Sequence, residues 1–236
     1  MSGVPEHLAV IMDGNGRWAE TRGKARIEGH RAGVKTVERV IGWCRDAKIR
    51  YLTLYAFSTE NWKRSAEEVG GLMDLMNMVL RTKTASFRKA NVRVRVVGRR
   101  ADLAPALQRR IVATEQATAG CDGLLLLVAL SYGGRAEIVA AAHAYACDVR
   151  DGKVDGAEEP SEAFFRRYLY APDVPDPDLV IRTSGEFRLS NFLLWQSAYA
   201  EFWSTPVLWP DFGKDDFAAA LAAYAARRRR MGGRPA

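Results

Sequence analysis

The chain alternates short, continuously apolar runs with longer segments whose apolar positions recur every three or four residues. Leu8-Ala9-Val10-Ile11-Met12 reads as a buried strand, residues 51–57 as a second and residues 92–97 as a third. Residues 124–130 are apolar throughout, which predicts a central strand covered on both faces. Leu179-Val180-Ile181 is a shorter strand, and Val207-Leu208 is a candidate for another. Between them, Val37, Val40, Ile41 and Cys44 space a helix over about 33–47. Val69, Leu72, Met73, Met76, Val79 and Leu80 share one side of a long helix over about 67–90. Further helices are predicted over 105–117, 137–149 and 214–229, and residues 151–160 are polar and loop-like. This alternation predicts an α/β fold: a single domain over 1–236 with a mostly parallel central sheet flanked by helices. In such sheets ligands bind beyond the carboxyl ends of the strands. The segments from Asp13, Ser58, Ser131 and Arg182 onward are therefore the places to look.

Composition narrows the class. Apolar residues make up 48% of 236 residues, enough for a sizeable core. No apolar run is long enough to span a bilayer, and Met1 to His7 lacks the basic-then-apolar pattern of a secretory signal. Cys44, Cys121 and Cys147 form no CxxC pair and read as free thiols in a reducing cytosol. The net charge of +7 favours acidic partners. Part of that excess is Arg227-Arg228-Arg229-Arg230, read as a solvated helix end with weak attraction for anionic lipid. No basic stripe is interleaved with stacking aromatics, which argues against a nucleic-acid partner.

Four polar clusters carry the chemistry. In Asp13-Gly14-Asn15-Gly16-Arg17-Trp18, two glycines leave backbone N–H groups open to an anion and Arg17 offers a fork for phosphate oxygens. A helix beginning near Asn15 would add positive potential there. Asp13 makes sense in such a site if magnesium bridges it to a diphosphate. The same residues also fit a glycine turn capped by aspartate. Arg22, Arg26, His30 and Arg31 fit either a pocket wall or a solvated basic surface, with Arg26 and His30 on one helical face. The third cluster, 57–64, sets Ser58, Thr59, Glu60, Asn61, Trp62 and Arg64 directly after a strand. Asn61 could orient a substrate or relay a proton and Arg64 could bind phosphate, while Ser58 or Thr59 could be simple N-caps. In the fourth, 182–191, Arg182, Arg188 and Ser190 suit a diphosphate and Glu186 suits one of the arginines. Glu201, among Tyr199, Phe202 and Trp203, reads as an ion-pair member or a metal ligand. These residues describe two phosphate cradles and an acidic metal candidate; alone they name no reaction.

Segments 7–19, 52–62, 132–135, 178–186, 188–196 and 209–212 resemble, in order and over nearly the whole chain, cis-prenyltransferases of the undecaprenyl diphosphate synthase type. The resemblance implies condensation of isopentenyl diphosphate onto an allylic diphosphate such as farnesyl or geranyl diphosphate. The product would be a Z-polyprenyl diphosphate. Asp13 would be the essential carboxylate, and Asp13 with Glu201 would hold magnesium, Glu201 reaching across a homodimer interface. Gly14, Asn15, Gly16, Arg17, Trp18, Arg26 and His30 would hold the allylic diphosphate. Arg182, Arg188, Leu189 and Ser190 would hold isopentenyl diphosphate. Ser58, Thr59, Glu60, Trp62 and Arg64 would shape the junction between the two. Asn61 would be the candidate proton acceptor, with Asp13 and the released diphosphate as alternatives. A cytoplasmic enzyme with peripheral membrane contact for release of its apolar product is implied.

In that family a bulky side chain at the place of Ala56 accompanies short products, so alanine points to medium or long chains. The helix over 67–90, facing 124–130, would wall a tunnel. The chain departs from the family pattern at Ser65, Ser131, Phe187 and Trp203-Ser204. Phe187 cannot ligate a metal, which leaves Asp13, Glu201, diphosphate and water. No DDxxD motif is present, against trans-prenyltransferases. A short-chain synthase of specialised metabolism, a non-catalytic subunit and a basic nucleic-acid-binding protein are the competing readings.

Overall fold

The computed structural model describes residues 3–157 and 159–227. Six strands form one sheet: β1 (His7–Ile11), β2 (Tyr51–Ser58), β3 (Val92–Val97), β4 (Leu124–Tyr132), β5 (Leu179–Arg182) and β6 (Glu201–Ser204). Their order is β3-β4-β2-β1-β5-β6, with every neighbouring pair parallel. The helices are α1 (Asn15–Glu20), α2 (Arg26–Asp46), α3 (Ala66–Lys89), α4 (Pro105–Ala117), α5 (Gly134–Arg150), α6 (Glu162–Phe165) and α7 (Lys214–Ala225). Both faces of the sheet are covered, as the uninterrupted burial of β1 and the nearly unbroken burial of β4 require. On one face Leu8, Leu52, Leu54 and Leu126 pack under α2 and α3; on the other Ala9, Ala129, Tyr132 and Phe192 form a second core.

Most expected elements are present, with four differences. Helix α2 begins at Arg26, not near Gly33. Its first turns lack an apolar stripe because they meet α1 through glycines: a Cβ on Gly29 would lie 1.9 Å from the Asn15 carbonyl oxygen, and one on Gly33 2.3 Å from Asn15 Oδ1. Val207-Leu208 is not a strand. Pro206 has no N–H for a ladder, and the edge strand is instead the half-buried Glu201–Ser204. Ser58, Ser131 and Arg182 lie within strands rather than after them. Helix α7 is described to Ala225, so the expected continuation through Arg228, Arg229 and Arg230 lies outside the described residues.

Helix α3 is unusual in its packing. Of its 24 residues only Leu80 and Phe87 are fully buried. Its Leu72, Met73, Leu75, Met76 and Val79 stand over a cavity between α3, α2 and the sheet. Among the described residues no helix is long and apolar enough to cross a membrane.

Candidate active site

The cavity measures about 660 Å³ and opens at the carboxyl ends of β1, β2 and β5. Its mouth is polar, formed by Asp13, Asn15, His30, Ser58, Glu60, Asn61, Arg64, Arg182 and Ser190. Its interior is apolar, with Leu72, Met76 and Val79 of α3 facing Leu126, Val128 and Leu130 of β4, and Phe87 and Val94 also in the wall. The expected tunnel residues are thus brought together.

Asp13 follows β1 and is pinned through its backbone: Thr183 Oγ1 and the Trp209 N–H both donate to its carbonyl, at 2.7 and 3.0 Å. Its carboxylate accepts from the Gly14 N–H on Oδ1 (2.7 Å) and from Arg182 Nη2 on Oδ2 (2.8 Å). Gly14 sits at φ 100°, and a Cβ there would lie 3.2 Å from Leu208 Cα, so glycine is demanded twice over. Arg182 is 4% exposed, yet it faces the mouth. Its Nη1 donates to Ser190 Oγ (2.6 Å) and the Arg188 carbonyl (2.5 Å), while its buried Nε has no partner. A buried guanidinium with a donor to spare at the end of a parallel strand is suited to an anion.

His30 also has a buried nitrogen, Nε2, without a partner. Burial, reinforced by Arg64 and Arg26, lowers its pKa to about 4, so it is neutral in the ligand-free protein. Arg64 pairs with Glu68 at 2.9 Å, and Arg26 reaches the same carboxylate at 3.6 Å after pairing with Glu20. Asn61 Oδ1 accepts from the Ser58 N–H (3.0 Å), which caps the 3-10 turn Thr59–Lys63. What Asn61 offers a ligand is its amide donor. Burial alone would raise the Glu60 pKa. Hydrogen bonds from its own backbone and from Asn191, Ser58 and Thr59 outweigh that and hold it below the ordinary carboxylate value.

Other expected residues stand around the mouth rather than in its wall. Arg17 is turned to Ser184 and Glu186, and Arg188 to Glu186. Trp18 donates to Asp211 (2.7 Å) beneath the Arg22 guanidinium. The Gly16 backbone abuts Arg26. Trp62 Nε1 donates to Ser131 Oγ (2.9 Å), Thr59 Oγ1 to Glu60 (3.3 Å), and Leu189 packs on the second core.

Glu201 is not brought to Asp13. It is in register with Leu179, and Leu179 with Leu8, at the opposite end of the strands. Three residues separate its level from that of Arg182, which holds Asp13, or roughly 10 Å along the strand direction. Within the chain its carboxylate pairs with Arg227. Tyr55 and Glu68 were missed by sequence reasoning. Tyr55 lines the cavity, and its hydroxyl lies 3.3 Å from both the Tyr132 and Ser190 carbonyls. Glu68 was findable, four residues after Arg64 on a helical face.

Among the described residues no three His, Cys, Asp or Glu side chains converge on a metal position. Asp13 alone still fits a magnesium site. Its oxygens are hard donors, it is 34% exposed at the mouth, and magnesium commonly takes one or two carboxylates with substrate phosphates and water.

The Prenyltransf family model, that of undecaprenyl diphosphate synthases, matches residues 11–232. An isoprenyl transferase from Heliobacterium mobile is 51% identical over 98% of this chain and 88% of its own length. A ditrans,polycis-undecaprenyl-diphosphate synthase from Legionella pneumophila, (2E,6E)-farnesyl-diphosphate specific, is 45% identical over 97% of this chain and 96% of its own. The crystal structure of lavandulyl diphosphate synthase from Lavandula x intermedia with dimethylallyl diphosphate superposes with a TM-score of 0.94 at 36% identity, covering 98% of this chain and 99% of that one. With the parallel sheet, the charged mouth and the apolar cavity behind it, these likenesses establish that the chain belongs to the undecaprenyl diphosphate synthase family of prenyltransferases.

Proposed function

We propose that the protein condenses isopentenyl diphosphate onto an allylic diphosphate and releases a medium- or long-chain Z-polyprenyl diphosphate. One observation carries this reading: a mouth rich in phosphate donors opens directly into an apolar cavity of about 660 Å³. Such a shape suits a substrate with an anionic head and a hydrocarbon tail.

Gly14, Asn15, Gly16, Arg17, Arg26 and His30 bind the allylic diphosphate; Arg17 reaches it by leaving Ser184 and Glu186. Arg182, Arg188 and Ser190 bind isopentenyl diphosphate. The allylic C–O bond breaks, and its electron pair leaves with the diphosphate. The isopentenyl double bond forms the new C–C bond, and a proton passes from carbon to the departing diphosphate. The arginines oppose the charge that grows on the leaving group. Asn61 orients the reacting ends through its amide donor. Asp13 would hold magnesium, which when bound would supply charge neutralisation at the diphosphates.

Glu201, remote from Asp13 within the chain, would complete such a metal site from a second copy. Phe187 (77% exposed) and Tyr199 (73% exposed) flank the edge strand β6, where Phe187 packs on Phe202 at 4.9 Å. These exposed aromatic side chains support a homodimer. We place the enzyme in the cytoplasm, with peripheral membrane contact when its apolar product leaves.

The test incubates purified protein with magnesium, labelled isopentenyl diphosphate and starters of several lengths, then sizes the products. Incorporation into Z-polyprenyl chains is expected. No incorporation with any starter would overturn the reading.

A further inference from the structure

Asn191 sits where three parts of the mouth meet. Its Nδ2 donates to Glu60 Oε1 on the 3-10 turn at 2.8 Å. Its Oδ1 accepts from the Arg135 N–H at 2.9 Å, and its carbonyl accepts from the Gly134 N–H at 2.7 Å, both in the first turn of α5. The preceding residue, Ser190, receives Arg182 on its hydroxyl. Both residues have positive φ, 49° at Ser190 and 64° at Asn191, a conformation that asparagine tolerates better than most residues. Gly133 makes the junction close: a Cβ there would lie 2.6 Å from Thr59 Oγ1 and 2.8 Å from Asn191 Nδ2.

We propose that Asn191 is a positioning residue that locks the turn carrying Ser58 to Arg64 onto the loop carrying Ser190, and so sets the junction turn against the isopentenyl diphosphate subsite. The assignment of junction and subsite rests on the function proposed above. A side-chain amide is suited to this task because it presents a donor and an acceptor at once. The donor meets a carboxylate on one element, and the acceptor meets a backbone N–H on another. The hydrogen bonds that keep Glu60 ionised strengthen the first of these contacts. Neither contact requires Asn191 to touch a reacting atom.

The test is a double-variant cycle read by steady-state kinetics. Asn191→Asp keeps the acceptor for Arg135 but sets a carboxylate against Glu60. We expect KM for isopentenyl diphosphate to rise about tenfold, with kcat changed by less than about threefold. Glu60→Gln in the Asn191→Asp background re-forms the bond with its polarity reversed. It should return KM to within about threefold of the Glu60→Gln single variant, which ties the effect to this contact, while the rise in KM without a matching loss of kcat separates positioning from a merely structural role. Asn191→Gly is the second variant, in case the aspartate does not fold. It permits the same backbone and removes both side-chain bonds, so it should raise KM similarly. A KM within about twofold of wild type in the folded variant, or purely additive effects in the cycle, would overturn the role of Asn191. An inactive wild-type protein would instead overturn the prenyl-transfer reading on which that role rests.

Discussion

Asp13→Asn is the most informative single change. The aspartate carboxylate accepts from the Gly14 N–H on one side and from the buried Arg182 on the other. An asparagine of the same shape has one oxygen for these two donors. If that oxygen stays with Gly14, the new amide faces the Arg182 guanidinium donor to donor. Breaking a fully buried ion pair costs about 3–5 kcal/mol. Asp13 is 34% exposed and Arg182 4% exposed, which moves the expected cost to about 1–2 kcal/mol. For a chain of this length that lowers Tm by roughly 3–6 °C. Turnover should fall far more, by about 10³-fold, because the same carboxylate is the proposed magnesium ligand. Differential scanning fluorimetry and product assays on the same preparation read both effects. Inorganic pyrophosphate should raise Tm in wild type and variant alike, since its partners are the arginines. An unchanged or raised Tm would refute the pairing argument. Turnover within about tenfold of wild type would refute the role given to Asp13.

Three further expectations follow from other parts of the molecule. His7 is buried between the Pro175 carbonyl and Thr53, and burial lowers its pKa to about 4 against 6.5. The unfolded chain therefore binds the extra proton first as pH falls, so stability is full above pH 6.5 and drops toward pH 4, by up to about 3 kcal/mol from this group; urea midpoints that do not decline between those values would contradict it. Gly29→Ala should destabilise by about 1–3 kcal/mol and impair turnover, because its methyl group would enter the Asn15 carbonyl; denaturant unfolding measures the first and product assays the second. Met76→Trp fills part of the cavity and should shorten the product chains without abolishing the first condensation, as chromatographic sizing would show.

What the sequence disclosed followed its strongest physical signals. The continuous apolar runs of β1 and β4 and the single-sided apolar face of α3 announce a parallel sheet under a helix that borders a cavity. The start of α2 was hidden because Gly29 and Gly33 pack by backbone, which leaves no apolar period to read. The strand Glu201–Ser204 escaped because it is short, half-buried and polar at both ends. Asp13, Asn15, Asn61, Arg64, Arg182 and Ser190, which line one mouth, stood out through their positions after or at the ends of strands, whereas His30, on a helix, was open between a pocket wall and a basic surface. The separation of Glu201 from Asp13 was not, because it depends on strand register across three strands. That Glu186 pairs with a nearby arginine was legible, and Arg188 takes that place; that Arg17 shares the same carboxylate was not, since its side chain comes from α1, remote in sequence.

Helix α3 has a consequence for how synthesis stops. With only Leu80 and Phe87 of this helix fully buried, the space beneath it is bounded by apolar side chains that, among the described residues, no other part of the chain covers. In the proposed reaction a growing hydrocarbon chain supplies the missing cover. Each added unit that still finds space removes apolar surface from water, worth about 25 cal/mol per Å². The first unit that finds none must push side chains off their preferred rotamers, at a cost of about 1–3 kcal/mol. Termination then needs no recognition of a chain end. Product length becomes the point at which one increment of packing energy changes sign.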